Sequence, residues 1–478
     1  MSTITIAWIA LPLFVGFSIY LLPKLDRYLA LGVALFSVEY GTQLFFLAQS
    51  PLSLQLLDNF GVTLLVDQLS AFFILTNGLV TAAVILYCWQ SGKTAFFYTQ
   101  TIILHGSVNA VFICADFISL YVALEVISIA AFLLIAYPRT DRSIWVALRY
   151  LFVSNTAMLL YLVGAILVYK ANNSFAFEGL RGAPPEALAL IFLGLLVKGG
   201  IFVSGLWLPL THSESQSPVS ALLSGVVIKT GVFPLLRCAL IVEELDPIVR
   251  IFGVGTALLG ITYALFEKDT KRILAFSTIS QLGFILASPE VGGFYALTHG
   301  LVKSALFLIA GVLPSRNLNE LQHQRINTQI WIALAIASFS ISGFPLLSGF
   351  GAKVLTLKNL VPWQVIGMNV AALGTATCFG KFIFLPHGNG SQGQVKANFW
   401  LAMILLLGGL IAVNGVYYQA YDFANIIKPL ATIGLGWLAY FLIFKRSVLK
   451  LPRVLEEFDH LIGVMSLMLV LLFWMVFP

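Results

Sequence analysis

The sequence predicts an all-α polytopic membrane protein with about 14–16 transmembrane helices, two of them broken. Of its 478 residues, 59% are hydrophobic and only 10% are charged, whereas a soluble domain carries about a quarter charged residues. A globular core of this length cannot hide so much apolar surface, so the surface itself must face lipid. The remaining charges recur inside apolar stretches, which indicates a polar interior.

About sixteen apolar stretches are long enough to cross a ~30 Å hydrocarbon core as helices. The first, 4–22, has no basic segment before it and is predicted to be a true span rather than a cleaved signal peptide. The predicted spans are 4–22, 29–48, 69–90, 96–113, 117–137, 145–169, 186–210, 218–241, 246–266, 272–288, 291–313, 329–350, 363–385, 398–417, 426–445 and 460–477.

Basic residues in the connections predict the orientation. Most lie in loops after odd-numbered spans, for example Lys93, Arg142 and Lys268, and few lie after even-numbered spans, for example Lys170 and Lys428. The odd loops are therefore predicted to face the cytoplasm, with both termini on the opposite side. These loops account for the net charge of +6, so no nucleic-acid partner is predicted.

The connection between the second and third spans, 51–67, differs from the others. It carries the turn signal Asp58-Asn59-Phe60-Gly61 between two apolar runs. This pattern predicts a short β-hairpin lying on the outer surface.

The cysteines give no sign of a metal or cofactor. Cys88, Cys114, Cys238 and Cys378 are isolated, and none forms a CxxC or a Cys/His pair. No metal site is predicted. The sequence also has no nucleotide-binding glycine-rich loop and no extramembrane region large enough for a flavin, so no cofactor is expected.

We single out nine ionisable residues that fall within the predicted spans or at their edges. Each charge at the bilayer centre costs at least ~2.5–3.5 kcal/mol, so such groups face the protein interior, pair, or touch water. Near span ends, Arg149 and Lys381 are expected to extend to the headgroups. Glu39 fits either the headgroup region or the protein interior. The nine are Glu39, Glu125, Arg149, Lys198, Lys229, His299, Lys303, Lys353 and Lys381.

Glu125 and Lys198 are predicted as a pair that loads and unloads a proton. Burial disfavours the charged form of a lysine, and a nearby carboxylate favours it again. A salt bridge that only fixes helix register is the alternative. His299 and Lys303, four residues apart on one helical face, are predicted as a proton relay, with an ordinary hydrogen-bonded core histidine as the alternative.

Two predicted spans interrupt their own helices beside a lysine. Glycines and a proline follow Lys198 in the segment 198–209, and the segment 342–353 has the same features just before Lys353. Glycine-mediated helix packing explains single glycines, but not why both breaks adjoin lysines. Paired broken segments in the two halves of a chain are typical of inverted-repeat transporters.

Four motifs resemble a known family, the antiporter-like subunits shared by respiratory complex I, membrane-bound hydrogenases and Mrp-type sodium/proton antiporters. The chain departs from the family pattern at Val203 and Gly205, where a Pro-x-His is usual, and at Leu210, where an Asp is usual. Lysine at 353 and the stretch 217–231 are most similar to the D-type subunit of Mrp antiporters. The motifs are Lys198 with Trp207-Leu208-Pro209, His212-x-Glu214, Pro218–Gly225 and Lys229; Asp269–Gly283; His299–Lys303; and Gly343–Lys353.

The resemblance implies two inverted five-helix repeats within a fourteen-helix core. Residues 117–385 would be the ion-translocating core, between N-terminal helices in 1–116 and C-terminal helices in 386–478. It implies Glu125 and Lys198 as the switching pair, a central relay of Lys229, His299 and Lys303, and Lys353 as the terminal site. His212 and Glu214 are secondary candidates.

The resulting function is that of a proton-translocating subunit of a multi-subunit sodium/proton antiporter. Its expected partners are other membrane subunits, protons, sodium and the lipid bilayer, in a bacterial inner membrane or a thylakoid membrane. A proton-pumping subunit of a quinone-reducing or hydrogenase complex is the first alternative, and under either reading the chain is not an enzyme on its own. A membrane acyltransferase using His212 or His299 as a base, with Glu214 nearby, is the second.

Overall fold

The computed structural model describes residues 2–47, 50–57, 61–388, 395–445 and 449–476. Helices dominate, joined by short connections and two small pairs of strands. The helices are α1 Ser2–Leu21, α2 Asp26–Leu47, α3 Gln68–Cys88, α4 Ala95–Val111, α5 Phe117–Ile135, α6 Asp141–Asn172, α7 Pro185–Lys198, α8 Leu208–Glu214, α9 Ser217–Leu222, α10 Lys229–Ile241, α11 Asp246–Phe266, α12 Thr270–Leu286, α13 Gly292–Ala310, α14 Leu318–Leu321, α15 Thr328–Ser342, α16 Ser348–Lys358, α17 Val365–Ile383, α18 Ala397–Asn414, α19 Phe423–Ala439 and α20 Phe458–Val476.

The prediction of an all-α polytopic membrane protein is confirmed. Among the described residues, thirteen helical segments are long and apolar enough to cross a membrane. The other three predicted spans correspond to the shorter helices α4 and α12, each of 17 residues, and α15, of 15 residues. Every predicted span therefore corresponds to a helix or to a broken pair of helices.

Side-chain caps fix where several helices begin. Asp67, Asp116, Thr140 and Asp269 each accept a hydrogen bond from a backbone N–H in the first turn of α3, α5, α6 and α12. A capping oxygen satisfies a donor that has no partner within the helix. These short polar residues therefore set the helix starts at the ends of the spans.

A β-hairpin occupies the region where the sequence predicts one. Strand β1, Leu52–Leu57, pairs antiparallel with β2, Gly61–Val66, whereas Asp58, Asn59 and Phe60 of the predicted turn lie outside the described residues. Asp116 fastens β2 to the start of α5, because its carboxylate accepts from the backbone N–H of Thr63 at 2.8 Å. The second strand pair, β3 Ile326–Asn327 and β4 His387–Gly388, is a short parallel bridge.

Both predicted breaks are present. Helix α7 ends at Lys198, and the chain continues through Gly200, whose φ is +62°, and the 3-10 turn Phe202–Trp207 before α8 begins. Helix α15 ends at Ser342, the next residue Gly343 has a φ of +87°, and α16 follows after a short unwound segment. Only glycine adopts such angles at little cost. Because the breaks fall in the seventh and twelfth spans, an odd number apart, the two broken spans run in opposite directions.

The last two helices pack against different parts of the bundle. Helix α19 packs along α17, whereas α20 packs along α7 and the 3-10 turn that follows it. Residues 449–457, called the strap below, precede α20 on the face of the odd loops. Helix α20 thus lies against the first broken span.

Arg149 and Lys381 do not extend to the headgroups, so that prediction is wrong. Arg149 is 6% exposed and donates to the backbone carbonyl of Glu456. Lys381 is 4% exposed, and its Nζ donates to the carbonyls of Ala264, Leu265 and Glu267. These carbonyls end α11 and have no partner within the helix, so the lysine completes the helix end. Glu39, in contrast, is exposed and accepts from Gln43 one turn along α2.

Candidate ion-translocation site

Lys198 ends α7 at the first break and lies inside a ring of oxygen atoms. Its Nζ donates to the Ser128 hydroxyl at 2.5 Å, the Ser154 hydroxyl at 3.0 Å and the carbonyl of Leu124 at 3.2 Å. The ring of Tyr150 lies 5.9 Å away, close enough for a cation–π contact. The side chain is 3% exposed, so α5 and α6 replace the water that a lysine normally binds.

Glu125 and Lys198, the predicted switching pair, are not joined by a salt bridge among the described residues. Within the described part of the chain, no ion pair within 4 Å joins the two residues. Glu125 is half-buried on α5, one residue after Leu124, whose carbonyl accepts from the lysine. Lys198 is therefore held by neutral oxygens, with the carboxylate beside them.

Lys229 and His299 come together at a local change of helix type. The chain between α9 and α10 forms a π-helical turn, Leu223–Val227. Lys229 Nζ donates to the carbonyls of Gly225 at 2.7 Å and Ser224 at 3.2 Å, and lies 3.2 Å from Nδ1 of His299. A π-turn inside an α-helix frees backbone carbonyls and often marks a functional position.

Lys303 lies on the same helix as His299 but points elsewhere. Its Nζ donates to the Ser277 hydroxyl and to the carbonyl of Leu274 at 2.9 Å, and lies 5.3 Å from the ring centre of Phe379. The structure therefore joins His299 to Lys229 rather than to Lys303. The three predicted relay residues are all buried. Of these, Lys303 is the one whose hydrogen bonds go to α12.

Lys353 lies at the second break. Its Nζ donates to the carbonyl of Ser342 at 3.3 Å, the last residue of α15. A Cβ at Gly343 would lie 2.9 Å from Cδ of Lys353, so glycine is needed both for the backbone angle and for the passage of the lysine chain. Lys198 binds oxygens within two neighbouring helices, whereas Lys353 binds an oxygen at the end of a broken helix.

The second broken span also carries buried hydroxyl groups that lack a hydrogen-bond partner among the described residues. Such groups are rare in proteins and call for an explanation, such as a water or ion. A small cavity of about 10 Å³ is lined by Ser340, Gly349 and His299, among others, close to the least volume that admits a water molecule. Nε2 of His299 has no partner among the described residues. The hydroxyls without a described partner are those of Ser338, Ser340, Ser348 and Thr356.

The secondary candidates do not meet. His212 is fully buried and stacks on Phe307 with ring centres 4.8 Å apart, and neither of its ring nitrogens has a described partner. Glu214 instead lies 3.5 Å from Arg142 at the protein surface. A base–carboxylate pair at this place, as the acyltransferase reading needs, is not formed by the described residues.

Sequence reasoning missed the groups that bind the lysines. Ser128, Ser154 and Ser277 look like ordinary small residues of membrane helices, which are common at helix contacts. Ser128 lies one turn after Leu124 and close to Glu125, which was the available signal. The described residues contain no group of three or more side chains suited to a metal ion, and the four cysteines are buried and separate.

The fold and the site together define a polytopic membrane subunit with buried lysines inside its helical bundle, two of them at broken helices. The sequence model of the family "NADH:quinone oxidoreductase/Mrp antiporter, TM" matches residues 114–380, more than half of the chain. The chain belongs to this family.

Relatives include both branches of the family. The D-type subunit of the Na(+)/H(+) antiporter of Alkalihalophilus pseudofirmus is 25% identical, over 85% of this chain and 91% of that protein. NAD(P)H-quinone oxidoreductase chain 4 2 of Microcystis aeruginosa is 30% identical, over 89% of this chain and 92% of that protein. A chain of the archaeal membrane-bound sulfane sulfur reductase superposes with a TM-score of 0.77 at 21% identity, covering 91% of this chain and 99% of that one. The last likeness concerns the fold alone.

Proposed function

We propose that the chain is a proton-translocating subunit of a multi-subunit sodium/proton antiporter. The observation that carries the proposal is a set of four lysines buried inside the bundle, Lys198, Lys229, Lys303 and Lys353, each held by oxygen atoms of the protein. An isolated lysine at membrane depth is costly, and four of them in one interior are difficult to explain by structure alone.

In the proposed mechanism, the lysine ammonium groups move short distances between neighbouring oxygen acceptors. Lys198 exchanges its proton at the first break, under the influence of Glu125. The Lys229–His299 contact carries the proton through the centre. Lys353 releases or receives it at the second break, where unpartnered hydroxyls and a water-sized cavity support proton transfer. Residues 117–385 form the translocating core in this proposal, with 1–116 and 386–478 packed around it.

The exchange partner is proposed to be sodium, because the chain aligns along most of a D-type subunit of a sodium/proton antiporter. Other membrane subunits are the proposed partners, in a bacterial inner membrane or a thylakoid membrane, and the chain is not an enzyme on its own. A specific observation also favours a second candidate, a proton-pumping subunit of a quinone-reducing complex, since the relative named for such a complex is 30% identical.

Purification of the intact assembly separates the two candidates. We expect mass spectrometry to identify small antiporter subunits, and everted vesicles to exchange sodium for protons. Co-purifying iron–sulfur and quinone-module subunits would instead establish the redox-driven candidate. The single chain in liposomes serves as the control, and it should not exchange sodium for protons. Robust antiport by the single chain would contradict the subunit proposal.

A further inference from the structure

A large polar pocket opens on the face predicted to be cytoplasmic. Its volume is about 720 Å³, and it forms where the α11–α12 connection, the segment after α13 and the strap come together. All three segments follow odd-numbered spans. Its lining residues include the cations Lys268, Arg272, Arg316, Lys450 and Arg453 and the carboxylates Glu267, Asp269 and Glu456.

The three carboxylates are already neutralised within the pocket. Glu267 lies 2.8 Å from Arg272 and 3.2 Å from Arg453, and Glu456 lies 2.6 Å from Arg272. Burial by itself raises the pKa of Glu267, but the hydrogen bonds and charge of Arg272 bring that pKa below its usual value. The third carboxylate, that of Asp269, lies 2.8 Å from Arg316. These acids therefore balance the arginines and leave none to spare for the lysines.

Lys268 and Lys450 remain as uncompensated positive charges. Neither forms an ion pair or a side-chain hydrogen bond with the residues that the structure describes. Lys268 belongs to the α11–α12 connection and Lys450 to the strap, so the two charges face the pocket from different segments. Five cations against three carboxylates give the pocket a net positive charge that suits a phosphate group.

The pocket also has an apolar side. Tyr263 and Phe266 from the last turn of α11 line it, together with Leu451 of the strap. The neighbouring Leu449 is 57% exposed. A free phosphate ion makes no use of such a surface, whereas the glycerol and upper acyl chains of a lipid do. Basic pockets beside membrane helices on the cytoplasmic side are typical of anionic lipid binding.

We propose that this pocket binds the phosphate-bearing headgroup of an anionic phospholipid from the cytoplasmic leaflet. Lys268 and Lys450 would contact the phosphate, and the lipid would join the strap to the α11–α12 connection. The strap already carries Glu456, whose carboxylate pairs with Arg272 and whose carbonyl accepts from Arg149 on α6. A bound lipid would therefore also hold α20 against the first broken span.

The test uses native mass spectrometry of the intact assembly, titrated with phosphatidylglycerol or phosphatidylcholine. The Lys268→Gln/Lys450→Gln variant removes both uncompensated charges without breaking a described contact. Lys170→Gln/Lys428→Gln is the matched control, since it removes two exposed lysines on the opposite face. We expect the wild type and the control to retain phosphatidylglycerol in preference to phosphatidylcholine, and the pocket variant to lose most of this preference.

Two outcomes would overturn the proposal. Equal retention of phosphatidylglycerol by the wild type and the pocket variant would show that the lipid binds elsewhere. The second arm adds millimolar inorganic phosphate. Binding of inorganic phosphate at this pocket, with no preference between the two lipids, would make it a free-phosphate site. Retention of phosphatidylglycerol in the presence of phosphate would support the proposal that the pocket binds a lipid headgroup.

Discussion

Nζ of Lys229 lies 3.2 Å from Nδ1 of His299, although 70 residues separate them in the sequence. Both side chains are buried, at 0% and 2% exposure. The lysine also binds two carbonyls freed by the π-turn, whereas Nε2 of the histidine has no described partner. A proton accepted from Lys229 on one ring nitrogen could leave from the other, toward the small cavity beside Ser340.

His299→Asn should therefore abolish most transport while the assembly remains intact. Asparagine can keep a polar contact with Lys229 but cannot take up a proton. Transport would be followed as dissipation of a pH gradient in everted vesicles, with His323→Asn, an exposed histidine, as the control. Wild-type rates in both variants would reduce His299 to a core histidine with a structural role.

The serines that bind Lys198 give a second prediction. Ser128→Ala/Ser154→Ala removes two of the three described acceptors of the buried ammonium, and each lost acceptor costs about 1–3 kcal/mol. We expect the charged form of Lys198 to be disfavoured and transport to fall with a changed pH profile. Thr156→Ala, on the same helix as Ser154, is the control, because the described hydrogen bond of its hydroxyl goes to the carbonyl of Phe152 and not to a lysine. An unchanged pH profile in the double variant would argue against proton exchange at Lys198.

Glu125 offers a test of action without direct contact. In the proposed mechanism the carboxylate acts on Lys198 without touching it, so charge matters more than exact length. Glu125→Gln should reduce transport severely, and Glu125→Asp should reduce it mildly. Both rates are measured in the same vesicles at matched expression, with Glu39→Gln on the exposed face of α2 as the control. A silent Glu125→Gln would remove the switching pair from the mechanism.

The pair Asp67–Arg237 predicts a dependence of stability on pH. Asp67 caps α3 and accepts from Arg237 of α10. Burial alone raises the pKa of Asp67, but the hydrogen bonds and charge of Arg237 bring it below its usual value. A carboxyl with a lowered folded-state pKa stabilises the fold above its unfolded pKa, about 3.9, and loses this contribution as the pH falls through the folded value.

Asp67→Asn should accordingly destabilise the detergent-solubilised protein at pH 7 by about 1–3 kcal/mol, since it leaves the buried guanidinium poorly paired. The difference in Tm from the wild type should persist down to about pH 5 and narrow in more acidic solution. The control is Asp422→Asn, which neutralises the capping carboxylate of α19, a residue with no ion pair among those described. An equal, pH-independent loss in both variants would assign the effect to helix capping alone.

Much of this arrangement could be predicted from local pattern. Hydropathy located the spans, and glycines beside Lys198 and Lys353 located both breaks, because glycine is where a helix unwinds at low cost. The hydrogen-bond partners could not be predicted. Ser128 and Ser154 lie 70 and 44 residues from Lys198, so only tertiary packing brings them to it.

The prediction that Arg149 and Lys381 reach the headgroups failed for a related reason. A charge close to a helix end is expected to reach the headgroups, but Lys381 instead satisfies carbonyls at the end of α11. Whether such a side chain turns outward or inward depends on unpaired acceptors in a neighbouring helix. The sequence of one helix does not contain that information.

Lys353 provides the most discriminating prediction. Its only described hydrogen bond is to the carbonyl of Ser342, and four hydroxyls without described partners lie on the same broken span. Lys353→Glu keeps a titratable group there, and burial favours the neutral form of either residue. We expect partial transport with a shifted pH optimum for Lys353→Glu and near-complete loss for Lys353→Met, which cannot titrate. Lys358→Met, at the end of α16, is the control. Wild-type transport in both Lys353 variants would contradict a proton site at the second break, and equal loss in both would favour a structural role for the lysine.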